Sequence, residues 1–308
     1  MWRLNFSDSQ SLEKRIIPYG KGQIFMNTSL EEAFSLLNIM PDCSIKSGIP
    51  VLYTHRTLKD KDVEIYFLTN QSDETIYVSP QFRVGHNMQP ELWNAVTGAI
   101  RILPEFERKK KVISIPLKLE AHESLFVVFK KIHSRTAEKV TQNIPCYETI
   151  YTLTTPWIVN FESDSIKRGP KKTIFTQLSD WSQNEDEKIK YFSGVAHYQT
   201  EFNLEYIPEG KLFLNLGKVY AMAKVKVNNK EVGGVWTAPY QVNITGTLRK
   251  GKNRIEIQVV NTWLNRILGD LNLSEKERKI LPHTQPWNGK IALQKSGLLG
   301  PVKINKEQ

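Results

Sequence analysis

Alternating apolar and polar residues mark several strands in the C-terminal half of the chain. In residues 254–260 isoleucine and valine alternate with glutamate and glutamine, and in residues 224–227 valine alternates with lysine. A period of two is typical of a strand that buries one face. Asn228, Asn229 and Gly251 supply turns, because these residue types tolerate a positive φ. Two such strands are not stable by themselves, so the pattern predicts further strands that cover their apolar face.

Shorter segments of the same kind fill the middle of the chain. Strands are predicted at residues 62–69, 76–78, 81–84, 100–102, 113–115 and 125–129. Turn-forming residues separate them, as at 70–74 and at Thr97-Gly98. Several short strands at regular spacing with turns between them favour a β-sandwich.

The N-terminal segment has a different pattern. A short apolar strand at residues 23–26 is followed by Ser29, which we predict to cap a helix. Apolar residues then recur at helical spacing up to Leu37, and Pro41 ends the helix. One β-α unit is too small to bury a core of its own. Residues 1–45 are therefore predicted to be the remnant of a larger α/β domain.

Chain length and the strand pattern together predict the domain organisation. A chain of 308 residues is expected to hold about two domains. A polar connection at residues 132–142 separates two strand-rich regions. We predict a mainly β protein with a short α/β remnant at 1–45, one β-sandwich at 46–140 and a second at 141–308.

Composition and charge exclude some partners. The net charge is +10, but the tight basic clusters, residues 108–111 and 167–172, fall at predicted turns, so no nucleic-acid partner is expected. An acidic partner surface or an anionic polysaccharide stays compatible with this charge. No run reaches the roughly 18 apolar residues of a membrane span, and residues 1–16 lack the apolar core of a signal peptide. Cys43 and Cys146 are expected to be buried free thiols, with one long-range disulfide as the alternative.

Residues 224–270 also carry a family resemblance. They read KVKVNNKEVGGVWTAPYQVNITGTLRKGKNRIEIQVVNTWLNRILGD, and this order resembles the galactose-binding-like jelly roll, the sugar-binding domain of family 2 glycosidases. The closing NTWLNRILGD, and PELWNAVTGAIRILPEF and YFLTNQSDE upstream, resemble the family 106 glycoside hydrolases, which are α-L-rhamnosidases. The resemblance implies that residues 141–308 form a galactose-binding-like jelly roll and that 46–140 is an accessory module.

A glycosidase usually needs two carboxyl groups about 5 to 9.5 Å apart on a rigid scaffold such as a (β/α)8 barrel. The chain shows no run of alternating strands and helices long enough for that barrel. Its acidic residues fall in turns or on strand faces, where no pattern pairs them; examples are Glu91, Glu123, Glu148, Glu201 and Asp270. The resemblance implies that the acid and base lie in an upstream barrel, so no catalytic residue is predicted here.

Metal and cofactor motifs are not found in the sequence. The six histidines, His55, His86, His122, His133, His197 and His283, show neither HxH nor HExxH spacing. No metal site and no cofactor is expected. A structural Ca²⁺ held by loop oxygens would be compatible with a jelly roll and needs no readable motif.

Sugar binding is the chemistry that the residue types support. Sugars stack their C–H faces on aromatic rings, and their hydroxyls meet amide and charged side chains. The candidates lie in and after the loop 236–240 and beyond the strand 254–260: Trp236, Tyr240, Trp263, Asn265, Arg266, Asp270 and Trp287. In the alternative interpretation, Trp263 closes the core and Arg266 pairs with Asp270 one helical turn on. A third interpretation makes these residues the docking face for a catalytic domain.

The sequence thus predicts the accessory, sugar-binding portion of an α-L-rhamnosidase-like glycoside hydrolase that acts in polysaccharide degradation. The expected partners are a carbohydrate, such as a rhamnose-containing glycan, and an upstream catalytic domain. A stand-alone carbohydrate-binding module and a purely structural interaction protein are the alternatives. For the parent family the resemblance implies a periplasmic or secreted location.

Overall fold

The computed structural model of the protein describes residues 14–46, 48–85, 87–110, 112–131, 142–166, 168–170, 172–280 and 291–308. Strands dominate it. Strand β1 (Arg15–Tyr19) pairs with β2 (Gly22–Met26) as an antiparallel hairpin, and α1 (Leu30–Leu36) follows. We call these elements the N-terminal unit.

Helix α1 begins where the sequence predicts. Ser29 Oγ accepts the Glu32 backbone N–H at 3.2 Å, and the Ser29 N–H donates to the Glu32 carboxylate at 3.3 Å, which together form a capping box. The hairpin partner β1 was not predicted, because its sequence RIIPY has no alternating pattern.

The N-terminal unit exposes most of its apolar side chains. Only Ala33 of α1 is buried. The exposed apolar residues lie on both strands, on the helix and just after it: Ile16, Ile17, Tyr19, Ile24, Met26, Leu30, Phe34, Leu36, Leu37, Ile39 and Met40. The helical spacing that predicts α1 therefore faces no core within the described part of the chain.

The first β module comprises the strands β3 to β13. Their bounds are β3 Cys43–Ser44, β4 Val51–Leu58, β5 Val63–Asn70, β6 Ile76–Val78, β7 Gln81–Arg83, β8 Met88–Trp93, β9 Ile100–Ile102, β10 Glu107–Lys109, β11 Val112–Ser114, β12 Leu117–Leu119 and β13 Ser124–Lys131. A 3-10 turn, Lys59–Lys61, joins β4 to β5. A five-stranded sheet, β4-β5-β13-β8-β9, is accompanied by a four-stranded sheet, β10-β11-β7-β3, and by the pair β12-β6. A continuous core of buried side chains from these strands includes Tyr66, Phe82 and Phe129.

The second β module comprises β14 to β25 and two helices. Its elements are β14 Tyr147–Thr152, β15 Trp157–Phe161, β16 Thr173–Phe175, α2 Glu187–Lys190, β17 Val195–Leu204, β18 Leu212–Asn215, β19 Lys218–Tyr220, β20 Met222–Val227, β21 Lys230–Val235, β22 Gln241–Asn243, β23 Gly251–Val260, α3 Leu264–Leu271, β24 Gly297–Gly300 and β25 Lys303–Glu307. A 3-10 turn at Trp181–Gln183 precedes α2.

Two larger sheets enclose the core of the second module. These are a six-stranded sheet, β16-β15-β17-β23-β20-β21, and a four-stranded sheet, β14-β25-β18-β22. The pair β19-β24 forms a separate two-stranded sheet. The predicted alternation of β23 is confirmed, because Ile255, Ile257 and Val259 are all buried in this core. Trp181 is fully buried beside them and donates from Nε1 to the Tyr198 hydroxyl at 2.6 Å. The fold is mainly β, as the sequence predicts.

A buried asparagine connects the second region of the chain to the first β module. The Asn143 amide accepts the Glu105 N–H at 3.0 Å and donates to the carbonyls of Glu105 and Pro116, at 2.5 and 3.1 Å. Its backbone N–H donates to the Glu105 carboxylate at 2.8 Å. Asn143 precedes β14, so a residue just before the second module is hydrogen-bonded to the first module.

Both cysteines are free, with Cys43 buried and Cys146 exposed. The sequence expectation of two buried thiols therefore fails for Cys146, which lies next to the first residue of β14. In the described part of the chain, no helix is long and apolar enough to span a membrane.

Candidate functional site

One end of the six-stranded sheet gathers the loops that carry most of the predicted sugar-binding residues. Met222, the first residue of β20, pairs with Val260, the last of β23, and Val235, the last of β21, pairs with Ala223. The loop that begins at Trp236 and the segment that begins at Asn261 therefore leave the sheet at the same end. The sequence prediction that both could border one rim matches this arrangement.

A cleft of about 330 Å³ opens at this end of the sheet. Its lining comes from the junction between β19 and β20, from the segment after β23 and from the segment before β24: Tyr220, Ala221, Asn261, Thr262, Asn265, Gln294, Lys295 and Ser296. Asn265 belongs to the predicted set, and the other seven do not. Asn261 and Thr262 could have been found as the continuation of a predicted strand. Residues 294–296 have no sequence signal, because a tertiary contact brings them to the cleft.

Asn265 supplies that contact. Its Nδ2 donates to the Gln294 carbonyl at 2.7 Å and to Ser296 Oγ at 3.3 Å, and its Oδ1 accepts the Gln294 N–H at 2.8 Å. Asn265 is buried, and these bonds use both ends of its amide. Its role in this structure is to hold one wall of the cleft, and its amide has no donor hydrogen free for a ligand.

The amide of Asn261, the residue after β23, is also hydrogen-bonded at both ends. Its Oδ1 accepts the Gly194 N–H at 2.9 Å, and its Nδ2 donates to the Phe192 carbonyl at 2.8 Å. The side chain therefore ties the end of β23 to the start of β17. Both asparagines shape the cleft by fixing backbone around it.

Helix α3 is packed closely beneath the cleft. A Cβ atom at Gly269 would lie 2.7 Å from the Tyr191 ring, which only a glycine allows without movement of that ring. The Arg266 backbone N–H donates to Ser193 Oγ at 3.2 Å. These contacts fix α3 against the 187–193 segment, and they set the position of Trp263 at the N-terminus of the helix.

Arg266 and Asp270 form the intrahelical ion pair of the alternative interpretation. Arg266 Nη2 lies 2.6 Å from Asp270 Oδ1, and both side chains are buried. Asp270 Oδ2 also accepts the backbone N–H groups of Lys279 and Ile280, both at 2.9 Å. Burial acts to raise the pKa of Asp270, but these two hydrogen bonds and Arg266 outweigh it and lower the pKa. The buried pair therefore holds the backbone of Lys279 and Ile280 against α3.

The predicted aromatic residues differ in exposure. Trp236 is 58% exposed and Trp263 is 49% exposed, so Trp263 does not close the core as the alternative interpretation has it. Tyr240 packs partly against the core. Burial raises the pKa of the Tyr240 phenol, and the nearby phenol of Tyr220, a cleft residue, raises it further. Trp287 lies outside the described residues, so its predicted role stays a prediction.

Four of the five acidic side chains named from the sequence have structural partners. The Glu91 carboxylate accepts Trp93 Nε1 at 2.8 Å and lies 3.0 Å from Lys130 Nζ. Glu123 accepts the Glu120 N–H at 2.8 Å, and Glu201 pairs with Lys252 at 2.7 Å. Glu148 lies opposite Lys306 in the β14–β25 register. With Asp270 paired to Arg266, four of these five carboxylates have a basic or backbone partner, and the Glu148 carboxylate has no hydrogen bond or ion pair within the described residues.

Metal binding gains no support from the side-chain arrangement. Across the described ranges, no group of three or more His, Cys, Asp or Glu side chains could hold a metal ion. His86, His133 and His283 lie outside those ranges. The expectations of no metal site and no cofactor, and the compatibility with a structural Ca²⁺, stay predictions.

Two family models match separate parts of the chain. Residues 5–107 match the model described as alpha-L-rhamnosidase, glycoside hydrolase family 106. Residues 176–292, which include the cleft segment 261–265, match the galactose-binding-like domain of the family 2 glycosyl hydrolases.

Two known proteins are similar over much of the chain. The structure of the rhamnosidase from Novosphingobium sp. PP1Y superposes with a TM-score of 0.77 at 30% identity and covers 94% of this chain. A relative from Formosa agariphila, described as "Putative beta-glucuronidase", is 35% identical over 201 residues, or 57% of this chain. The chain spans only 27% of the first protein and 16% of the second.

The family 106 match covers the signatures at residues 66–74 and 90–106, and the family 2 match covers residues 224–270. The segment NTWLNRILGD, which resembles family 106, lies within the family 2 match. The fold that the rhamnosidase shares covers nearly all described elements. Residues 5–107 are therefore similar to the family 106 glycoside hydrolases, the α-L-rhamnosidase group, and residues 176–292 are similar to the galactose-binding-like domain of the family 2 glycosyl hydrolases.

Proposed function

We propose that this chain is the accessory portion of an α-L-rhamnosidase-like glycoside hydrolase, and that it contacts the glycan at the end of its jelly roll without cleaving it. The supporting comparison is that a rhamnosidase matches 94% of the chain while the chain spans 27% of that enzyme. The structural partners of Glu91, Glu123, Glu201 and Asp270 also support the proposal, because hydrolysis needs a free acid and a free base or nucleophile.

The observation that carries the glycan contact is the half-exposed indole of Trp263 beside the cleft. Thr262 and Asn265, which flank it in sequence, both line the cleft. A large aromatic ring that stays open to solvent, and whose sequence neighbours line a cleft that carries polar groups, suits a sugar ring, which has an apolar face and polar edges. Trp236 leaves the same end of the sheet and extends this aromatic border.

Calorimetric titration with rhamnose-containing oligosaccharides tests the proposal. We expect the wild-type chain to bind, and Trp263→Ala to weaken binding by about tenfold or more, which corresponds to about 1.4 kcal/mol. Tyr206→Ala is the matched control, because Tyr206 is an exposed aromatic residue that follows β17 at the opposite end of the same sheet. Equal affinity of the Trp263→Ala and wild-type chains would contradict the site.

Hydrolysis is tested separately with an aryl α-L-rhamnoside. We expect no release of the aryl group above the rate in buffer. Turnover that is abolished by changing an acid of this chain would place a catalytic site within it and would refute the accessory role.

The exposed apolar face of the N-terminal unit favours a second candidate function, a structural one. Contiguous exposed apolar residues are typical of surfaces that another protein covers. In this case a separately produced family 106 catalytic barrel would bind the chain, and Phe34→Glu would weaken that association while glycan binding stayed unchanged. A barrel that fails to associate with the wild-type chain would exclude the structural role.

A further inference from the structure

The polar groups that line the cleft are not equally available to a ligand. The amides of Asn261 and Asn265 are both occupied by backbone or side-chain partners, as described above. Thr262 Oγ1 donates to Gln294 Oε1 at 3.0 Å, which uses the hydroxyl hydrogen of one residue and the amide oxygen of the other. Each side-chain amide oxygen in the cleft is thus engaged by a donor.

The groups left over are donors. Within the described part of the chain, Gln294 Nε2 and Lys295 Nζ have no acceptor, and Lys295 has no ion-pair partner. Both residues line the cleft and are exposed. The Tyr220 phenol lines the same space and can donate as well. A ligand that satisfies these groups must present acceptors.

The charge of the lining residues also favours a ligand that presents acceptors. Lys295 is the single ionisable group besides the Tyr220 phenol among the eight lining residues, so no carboxylate in that set offsets its charge. The carboxylate that contacts this segment, Asp180, accepts the Ser296 N–H at 3.0 Å and also the Ser182 N–H and hydroxyl, at 2.9 and 2.8 Å. All three donors bond to Oδ1 of Asp180, and Asp180 is not part of the lining.

We propose that the cleft takes a sugar bearing a carboxylate, a uronic acid unit of an acidic glycan, with Lys295 and Gln294 donating to the carboxylate. The inference rests on the proposed glycan contact beside Trp263 and adds the charge of the ligand to it. A carboxylate is acceptor-only when ionised, so it matches a donor-rich lining that carries one positive charge. The sugar ring would then lie between this wall and the exposed indole.

The test compares two ligands that differ only in charge, a rhamnosyl-glucuronic acid disaccharide and its methyl ester. We expect the wild-type chain to bind the acid about three- to tenfold more tightly than the ester, a ratio typical of one charge-assisted contact in a partly exposed site. Raising the salt concentration to about 0.5 M should move the ratio towards one, since solvent-exposed charges are screened.

Lys295→Gln should bring the two affinities together while the ester binds as it does to the wild-type chain. Lys295→Arg should keep the preference for the acid, which separates the effect of charge from an effect on folding. Lys250→Gln is the matched control, because Lys250 is an exposed lysine just before β23, at the opposite end of the sheet. It should keep the wild-type ratio.

The outcomes distinguish this inference from the proposed function. If the wild-type chain binds the ester as tightly as the acid, or if Lys295→Gln keeps the preference, the acidic-sugar inference is wrong and the glycan contact stands. If neither ligand binds and Trp263→Ala changes no affinity for any oligosaccharide, the acidic-sugar inference and the proposed glycan contact are both wrong.

Discussion

Asp270 illustrates how a residue of a suitable type for sugar binding can be committed to structure instead. Its carboxylate has a buried arginine on one oxygen and two backbone amides on the other. From the sequence, the residue type suggested a sugar contact, and the i, i+4 spacing to Arg266 suggested an ion pair. Only the burial of Asp270, which depends on the tertiary fold, distinguishes the ion pair from the sugar contact. Trp263 shows the converse, since nothing in NTWLNR indicates that its indole is half exposed.

Replacing Asp270 should therefore be costly for stability. Asp270→Ala leaves Arg266 buried without its partner and removes the acceptor of two amides, and we expect a loss of about 3–5 kcal/mol in the free energy of unfolding. Asp270→Asn keeps one acceptor oxygen and should cost less. Urea denaturation followed by tryptophan fluorescence measures both, with Glu275→Ala, an exposed acid nearby, as the control. A loss below about 1 kcal/mol for Asp270→Ala would contradict the role of the pair.

The same pair has a predictable pH dependence. Because the pKa of Asp270 is lowered in the folded chain, its stabilisation is fully present above the unfolded pKa of about 3.9 and is lost as the pH falls through the lower folded value. The stability difference between wild type and Asp270→Asn should therefore narrow below about pH 4 and be constant above it.

The pKa of Glu123 is shifted in the opposite direction to that of Asp270. Burial raises its pKa to about 7, with a further contribution from the Glu120 charge. The folded chain then holds a proton that the unfolded chain releases at about pH 4.3, so stability from this residue is greatest below that pH and falls until about pH 7. We expect Glu123→Gln to raise the free energy of unfolding by about 1–2 kcal/mol at pH 8 and by little at pH 4.5.

Urea titrations at the two pH values measure this difference. Glu231→Gln, a mostly exposed acid in an ion pair with Lys226, should change little at either pH. A Glu123→Gln chain that is less stable than wild type at pH 8 would mean that the charges of Lys118 and Arg101 outweigh burial.

At the scale of elements, the turn between β20 and β21 shows what local chemistry specifies. Asn228 and Asn229 both have a positive φ, 49° and 68°, as the predicted hairpin turn requires. Asn228 also donates to the Thr247 carbonyl and to Asn253 Oδ1, and its Oδ1 accepts the Arg254 N–H. The Asn229 side chain has no hydrogen bond among the described residues, so the role of Asn229 in the turn is to adopt the positive φ.

Substitutions at Asn229 separate backbone conformation from side-chain bonding. Asn229→Gly should be neutral or slightly stabilising, whereas Asn229→Val should cost about 1–2 kcal/mol, because a β-branched residue is disfavoured at positive φ. Thermal denaturation of the two variants measures the difference. Equal stability of the valine and glycine variants would show that the turn is free to change its type.

Strand positions were predictable to the extent that one face is apolar. The alternation in β23 and β20 identifies the buried face, because the opposite face is polar. Strand β5 has apolar residues on both faces. Val63, Ile65 and Phe67 alternate along one face, but Tyr66 and Leu68, on the other face, are the ones buried in the core. A period of two cannot choose between two apolar faces. That choice is made by the sheet that packs against the strand.

At the scale of the whole molecule, Asn143 shows why boundaries are hard to place from sequence. The polar connection predicted a boundary near residue 140, yet the Asn143 side chain completes the hydrogen bonding of Glu105 and Pro116 in the first β module. A side chain that belongs to one region by position can belong to another by contact.

Removing this side chain should loosen the first module. Asn143→Ala leaves one N–H and two carbonyls without their partner in a buried place, and we expect a loss of about 2–3 kcal/mol. Asn203→Ala, on an exposed strand position, is the control and should change the stability by less than about 0.5 kcal/mol. Urea denaturation measures both. A cost for Asn143→Ala no larger than for the control would mean that water replaces the lost contacts.

The apolar side chains exposed on β1, β2 and α1 also determine how a preparation of the chain will behave. Unless another surface covers them, these side chains can contact the same side chains of a second molecule. Self-association should therefore increase as the protein is concentrated. Sulfate should strengthen this self-association and cooling should weaken it, since the driving force is hydrophobic. Light scattering across a concentration series would show it, and Phe34→Glu should reduce the scattering without a change in the unfolding of either β module.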